Sequence, residues 1–552
     1  MNIRSNILLT FIFFCLLPFI YFYIVIGSHS QLLSYPEIVY PVFFLLALLF
    51  SYIIEKNLRH ELQAESKQQV IIIAGTCVIL YALYLFIVTW YMYSNFFSQG
   101  VDLEYFFQTI WQLSEFKVPY IWALNQPLFA VWSQHFSPFL YLLVPVMWLS
   151  HSAGALLMVQ AIVIISGAIP IYLIAKRSLH SRGLGLALSF AYLSFGGLQF
   201  GMEYGFHEIM FFPTVFLWAY YFYVVKKPKL YLLFVILSLL IKEEVAFIVF
   251  FWGLYLMFFR KDKFWGTITT ILGMLWYIVC FNIVFPYFNK GFGYWGQYDT
   301  DGSSGLLGIL KSTLFKPFNF LVTLVTPELK IQMMLETFGQ FAFLLLLFPP
   351  TLLIIFPSLM EKLLSSGIAM GNGAHYSAAI CAMTIISTFE AIPHIYKNKL
   401  VTRYIHNKNI FFIVLISYSA LFSSVILGFP DYSLAPNHGI YFLETPITDA
   451  NKALLTQIIS EIPANATVAS NDPLPPHLNK YYKDSTDFPG VTGKEDFIIV
   501  DTQFRPVYGY TAQEYNDAID KLNKNKNYQL AVSNIGILVY RRKTFNANSV
   551  QQ

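Results

Sequence analysis

The sequence predicts a mainly α protein: a polytopic transmembrane helical bundle of about 11–13 spans, followed by a small extracytoplasmic C-terminal α/β domain. Three observations predict it. Of 552 residues, 57% are hydrophobic and 12% charged, whereas soluble domains carry about 25% charged residues. Apolar runs near the length of a spanning helix recur from the N-terminus to residue 427. Beyond Gly428 the pattern changes to short apolar strands and amphipathic stretches, divided by Pro, Asn, Asp and Gly.

The first run, 7–26, follows Arg4 and is long enough to span. It has no small-residue cleavage site before the next apolar run, so it reads as a retained helix. Further spans are expected at 38–54, 70–90, 153–175, 184–200, 209–225, 230–241, 245–259, 264–285, 331–348, 351–364, 378–392 and 410–427. Orientation comes from Lys and Arg, which gather in short cytoplasmic loops. The clusters are Lys56, Arg59 and Lys67; Lys176, Arg177 and Arg182; Lys226, Lys227 and Lys229; Arg260, Lys261 and Lys263; and Lys397, Lys399, Arg403 and Lys408. With all of them inside, the N-terminus is cytoplasmic, and EYGFHE (203–208), KEE (242–244) and the segment with Asp102 emerge outside.

The apolar segment 136–150 would reverse that order if it crossed; short and with two prolines, it reads as interfacial or re-entrant. The expected organisation is N-terminal transmembrane helices at 1–90, a large external first loop with interfacial helices at 91–152, a transmembrane core at 153–428 and an extracytoplasmic α/β domain at 429–552. In the tail, NKALLTQIISEIP and AQEYNDAIDKLNK read as helices, ATVAS and DFIIVD as strands, YQLAVSNIGILVYRR as a terminal hairpin and 521–527 as a solvated loop. Cys15, Cys77, Cys280 and Cys381 lie in apolar runs without metal-ligand spacing, which implies neither a disulfide framework nor a zinc site. A net charge of +4 points to no nucleic-acid partner.

Ionisable groups at membrane depth cost roughly 2.5–3.5 kcal/mol each, yet here they gather at the expected outer ends of separate spans. They are Asp102 and Glu104, His135, Glu203, His207 and Glu208, Lys242, Glu243 and Glu244, and His375 with Tyr376. Each has a structural reading as well. Asp102 suits an N-cap for a helix starting at Leu103, His135 before Ser-Pro suits a turn, and Lys242 suits an ion pair with Glu243 or Glu244. His207 and His375 suit satisfied loop positions. As chemistry, carboxylates and a histidine over an aromatic surface suit removal of a proton from an acceptor hydroxyl. The Asp102-x-Glu104 pair would hold a divalent cation, Mg or Mn, that neutralises a phosphate leaving group. Lys242 or Lys330 would hold that phosphate. Tyr105, Phe106, Trp111 and Trp122 would suit a sugar ring or lipid chain, although interfacial anchoring explains such residues too.

The succession VDLEYFFQTIW, SQHFSPFLYLLVP, GAIPIYLIAKRSL, FGMEYGFHEIMFFP and LSLLIKEEVAFIVFFWGLYL, with the later HYSA, ATVASNDPLPPHL, FIIVDTQF and GILVYRR, resembles the membrane-protein family called domain of unknown function 2079, from about residue 94 to 542. That family is in turn similar to the GT-C glycosyltransferase superfamily, whose enzymes use polyprenyl-phosphate-linked sugars. The resemblance implies a GT-C-like bundle with a lipid-linked sugar donor and membrane lipids as partners. It places Asp102 at the catalytic acidic position of the first external loop, with Glu104 in a loose Asp-x-Glu variant. HFSP at 135–138 matches the His-Pro-like segment that follows. Glu208, Lys242, Glu243 and His207 would then position donor phosphate or metal, while His135, His375 and Tyr376 would line the cavity. The loop follows the third expected span here, where the superfamily's follows the first. The function implied is transfer of a sugar to an acceptor on the outer face. The residues by themselves leave open a transporter or lipid-handling protein without covalent chemistry, and a non-catalytic scaffold whose tail binds a partner.

Overall fold

The computed structural model describes residues 36–58, 64–96, 98, 100–121, 129–288, 305–373, 375–427, 448–463, 466–471, 474–478, 486–490, 493–502 and 511–545. The expected first span at 7–26, Cys15, Arg59 and Trp122 lie outside them. Among the described residues, four helices are long and apolar enough to cross a bilayer: Ala74–Ser94, Ala153–Ser178, Lys263–Phe288 and Ala378–Lys397. Five shorter apolar helices accompany them: Pro138–Leu149, Glu208–Val224, Pro228–Leu239, Val245–Phe258 and Lys408–Ser424. At 1.5 Å per residue, the 12 residues of Pro228–Leu239 rise about 18 Å, well short of a hydrocarbon core of about 30 Å.

Two expected spans are interrupted. The run 184–200 becomes helices Arg182–Leu193 and Gly196–Tyr204, bent by 43°. The run 331–348 ends its helix, Leu329–Gly339, early: Ala342 and Phe343 both turn left-handed at φ +55°, and a 3-10 turn Leu344–Leu347 follows. The Gln340 amide stabilises that ending by donating to Ala191 O at 2.8 Å and Ser194 Oγ at 3.0 Å. Hydropathy senses none of these bonds.

The chain forms two compact units. The first comprises Met1–Phe86, Ala161–Met202 and Glu208–Ile440. In it, helices Phe212–Val224, Pro228–Leu239 and Val245–Phe258 run back and forth, so Glu208 and Lys242 lie at one end and Tyr223 and Arg260 at the other. At the second end Glu390 accepts from Arg260 Nη2 at 2.6 Å, Tyr220 OH at 2.5 Å and Tyr255 OH at 3.0 Å. Tyr223 OH donates to Asp262 Oδ2 at 3.2 Å nearby. A carboxylate this buried persists because every donor around it is charged or aimed.

The second unit comprises Ile87–Gln160, Glu203–His207 and Tyr441–Gln552. Helix Gly100–Ser114 packs against the 3-10 helix Pro138–Leu143 and the short helix Val144–Leu149, the form taken by the apolar segment expected not to cross. Strands β1 (Tyr120–Ile121) and β2 (Phe129–Ala130) pair antiparallel. The tail carries β3 (Val468–Ser470), β4 (Thr486–Asp487), β5 (Phe497–Asp501), β6 (Tyr528–Asn534) and β7 (Ile537–Arg542) in the order β4-β3-β5-β7-β6. β4, β3 and β5 are parallel, β7 and β6 antiparallel.

Alternation sends Val468, Ile499 and Val539 to one face, where Leu455 and Ile458 of helix Asp449–Glu461 cover them. Ala469, Ile498, Val500 and Tyr540 face the other side, under Tyr515 and Leu522 of helix Ala512–Lys524. That helix opens on a capping box between Thr511 and Glu514. It runs on to Lys524, so most of the loop expected at 521–527 is helix, with Lys521 and Lys524 complementing its negative end.

Candidate functional site

Helix Gly100–Ser114 of the second unit carries Asp102 in its first turn, where free N–H groups and the positive end of the helix dipole favour a carboxylate. The helix begins earlier than an N-cap at Asp102 requires, so that residue lies within it and does not cap it. Glu104 is buried and accepts from Gln108 Nε2 at 2.6 Å. On a helix, residues two apart diverge by about 200° and do not face one another. The two positions therefore lie on different sides of the helix.

Asp102 is matched instead with His207: a carboxylate oxygen and an imidazole nitrogen lie within 4.8 Å of one another. Phe106, one turn beyond Asp102 on the same helix face, meets the His207 ring edge-on at 4.8 Å. The loop that presents His207 is pinned from below. Buried Gln160 donates from Nε2 to Gly205 O at 2.9 Å and accepts the His207 backbone N–H on Oε1 at 2.8 Å. Gly205 has φ +143°, a conformation that only glycine adopts without strain. Buried Glu203 shares this short segment. His135 lies half-buried just past the 3-10 turn Val131–Ser133, its N–H donated to Val131 O at 3.3 Å. The helix beside it is braced at its far end: Gln112 bonds both the N–H and the carbonyl of Tyr120, at 3.0 and 2.7 Å, and Trp148 Nε1 donates to Ser114 O at 3.3 Å.

In the first unit, Lys242 sits in the break between helices Pro228–Leu239 and Val245–Phe258. Its ammonium is 3.7 Å from Glu208 and 3.5 Å from Glu244. The Glu244 partner is the neighbour expected from the sequence, while the Glu208 partner is long-range and joins the two segments expected on one face. Burial alone would push the Lys242 ammonium down, but the carboxylates of Glu244, Glu208, Glu243 and Glu361 outweigh it and hold the group well above the ordinary lysine value.

His375 is buried in the loop before helix Ala378–Lys397, its ring 4.1 Å from that of Tyr376. Residues the sequence did not single out hold this loop. Lys362 Nζ donates to Ala369 O at 3.2 Å and Gly371 O at 2.6 Å, and Asn372 links Glu336 at 2.8 Å to Ser377 at 2.8 Å. Glu336 and Lys362, charges within apolar runs, were the available signal. Lys330, expected as a phosphate holder, is buried with its Nζ donating to Thr323 O and Leu363 O, at 2.8 and 2.5 Å, and it serves as a helix clamp.

An apolar helical scaffold with ionisable side chains gathered at helix ends, joined to a small α/β tail domain, defines a multi-pass membrane protein. The chain belongs to the family "Predicted membrane protein (DUF2079)", whose model matches residues 90–539. Among solved structures it is similar to ArnT from Cupriavidus metallidurans bound to undecaprenyl phosphate, with 10% identity, a TM-score of 0.45, and coverage of 84% of this chain and 97% of that one. The apo form of the same protein matches with 10% identity, a TM-score of 0.45, and coverage of 85% and 98%. No curated protein matches the sequence.

Proposed function

We propose that the protein is a membrane-embedded glycosyltransferase that moves a sugar from a polyprenyl-phosphate donor to an acceptor on the outer face. The observation that carries this reading is the Asp102 carboxylate, at a helix N-terminus, within 4.8 Å of a His207 nitrogen. In the reaction, Asp102 takes the proton of the acceptor hydroxyl. The freed oxygen attacks the anomeric carbon, and the bond from that carbon to the phosphate oxygen breaks, leaving its electron pair on the lipid phosphate. His207 orients the base. Lys242 and Glu208 of the first unit serve the donor phosphate, with Glu243, His375, Tyr376 and His135 as further substrate-binding residues.

The oxygen and nitrogen donors of Asp102 and His207 also suit a divalent cation, and a nitrogen ligand favours Mn over Mg. Such an ion would neutralise charge on the departing phosphate.

The N-terminus is read as cytoplasmic and the domain at 429–552 as outside from the Lys and Arg clusters of the short loops, with an odd number of expected spans between the two.

The test is incubation of purified protein with a panel of polyprenyl-phosphate sugars and measurement of released lipid phosphate. Asp102→Asn should slow release at least about a hundredfold, the lower limit for losing a general base, with folding unchanged. Wild-type rates in that variant, or no release from any donor, would overturn the reading. The bent helix pair Arg182–Leu193 and Gly196–Tyr204 favours a second one, since transporters build sites on interrupted helices. Movement of intact substrate across proteoliposomes without release of phosphate would establish it.

A further inference from the structure

Helix Ala64–Ser94 ends in a turn where Phe96 adopts φ +60°. That left-handed position after a helix belongs by default to glycine, and a bulky side chain there is strained. The strain is held by what the ring does. Phe96 is 5% exposed and lies in the apolar core of the tail domain, among Leu455, Ile458, Leu474 and Val539. Two more fastenings surround it. His477 of the tail stacks on Tyr93 at 4.5 Å and leans on Phe96 at 4.0 Å, and Lys452 Nζ donates to Asn95 Oδ1 at 2.9 Å. The turn Pro475–His477 packs directly on helix Gly100–Ser114, which begins four positions after Phe96.

We propose that the C-terminal domain is a positioning element for the helix that carries Asp102, locked to it through Phe96 and His477. A binding module swinging on its linker would need none of these anchors. A side chain that keeps a strained backbone in order to enter another segment's core is a specific joint. Phe96 and His477 are thus positioning residues. The docking stands on the contacts alone; its catalytic consequence rests on the role of Asp102 proposed above.

Hydrogen exchange on the full-length protein in nanodiscs tests it, read at the amides of helix Gly100–Ser114 and, as a control for the remaining fold, helix Ala378–Lys397. Phe96→Gly gives the turn its preferred residue but removes the ring; His477→Ala removes the stack; His477→Phe keeps a flat ring in place. The first two should speed exchange in the acid helix at least tenfold with the control helix unchanged, and His477→Phe should match the wild type. Unchanged exchange in both loss variants overturns the proposal, as does His477→Phe exchanging as fast as His477→Ala. Release of lipid phosphate, measured in parallel, should fall in kcat more than it rises in KM. Faster exchange with unaltered turnover also overturns the positioning role. Should the wild type release no phosphate while the exchange pattern holds, the docking survives and the glycosyltransferase reading alone falls.

Discussion

At Lys242 the chain places an ammonium between carboxylates with almost no water to share the charge. Breaking a buried ion pair by removing one partner costs about 3–5 kcal/mol, because the survivor is left uncompensated. Lys242→Met should therefore lower the midpoint of thermal unfolding in detergent markedly, and adding Glu208→Met should restore part of the loss. An equal or larger loss in the double variant would show that the two do not stabilise as a pair. Residues of this kind, Asp102, His207, Glu208 and Lys242 among them, are legible from sequence because ionisable groups are scarce in an apolar chain. Charge does not say what a side chain is bonded to, so Lys330 looked available while its ammonium is occupied by two backbone carbonyls. Asn372 carries no charge and its partners lie 36 and 5 residues away, so no local pattern announces it.

Among the elements, the tail was the most legible part. Thr511 and Glu514 announce the start of helix Ala512–Lys524, and Ile535 and Gly536, at φ +40° and +84°, make the tight turn between β6 and β7. The membrane helices were legible as apolar runs, but where they break depends on distant side chains such as Gln340. Helices Val245–Phe258 and Lys263–Ile278 approach closely because glycines line their seam. A Cβ at Gly273 would lie 2.6 Å from the Phe250 nitrogen and 2.7 Å from Ala246 O, and one at Gly253 would lie 2.5 Å from the Thr270 nitrogen. Close backbone approach over small residues is how helices associate in lipid. Gly273→Val should force the pair apart and cost about 1–3 kcal/mol, read as a lower unfolding midpoint. An unchanged midpoint would mean that the seam is not tight.

For the molecule as a whole, the tail's attachment should respond to acid. Burial pushes the His477 imidazole down from 6.5 to about 3, so the released state takes up the proton first. The docked state is then fully stable above the ordinary histidine value and weakens as pH falls below it, by up to about 1.4 kcal/mol per pH unit. Exchange of helix Gly100–Ser114, corrected for its intrinsic pH dependence, should rise between pH 7 and pH 5 in the wild type and stay flat in His477→Phe. A flat wild-type profile would contradict this. A different consequence follows from helix Ala378–Lys397, whose most apolar stretch is 89% buried against 22% for that of Lys263–Phe288. Thr384, Ser387 and Thr388 are tolerated on it because protein, not acyl chain, surrounds them. A carbene precursor dissolved among the lipid tails should mark Lys263–Phe288 densely and leave Ala378–Lys397 almost blank, so that a long hydrophobic stretch sheltered by protein is one a greasy photolabel fails to see.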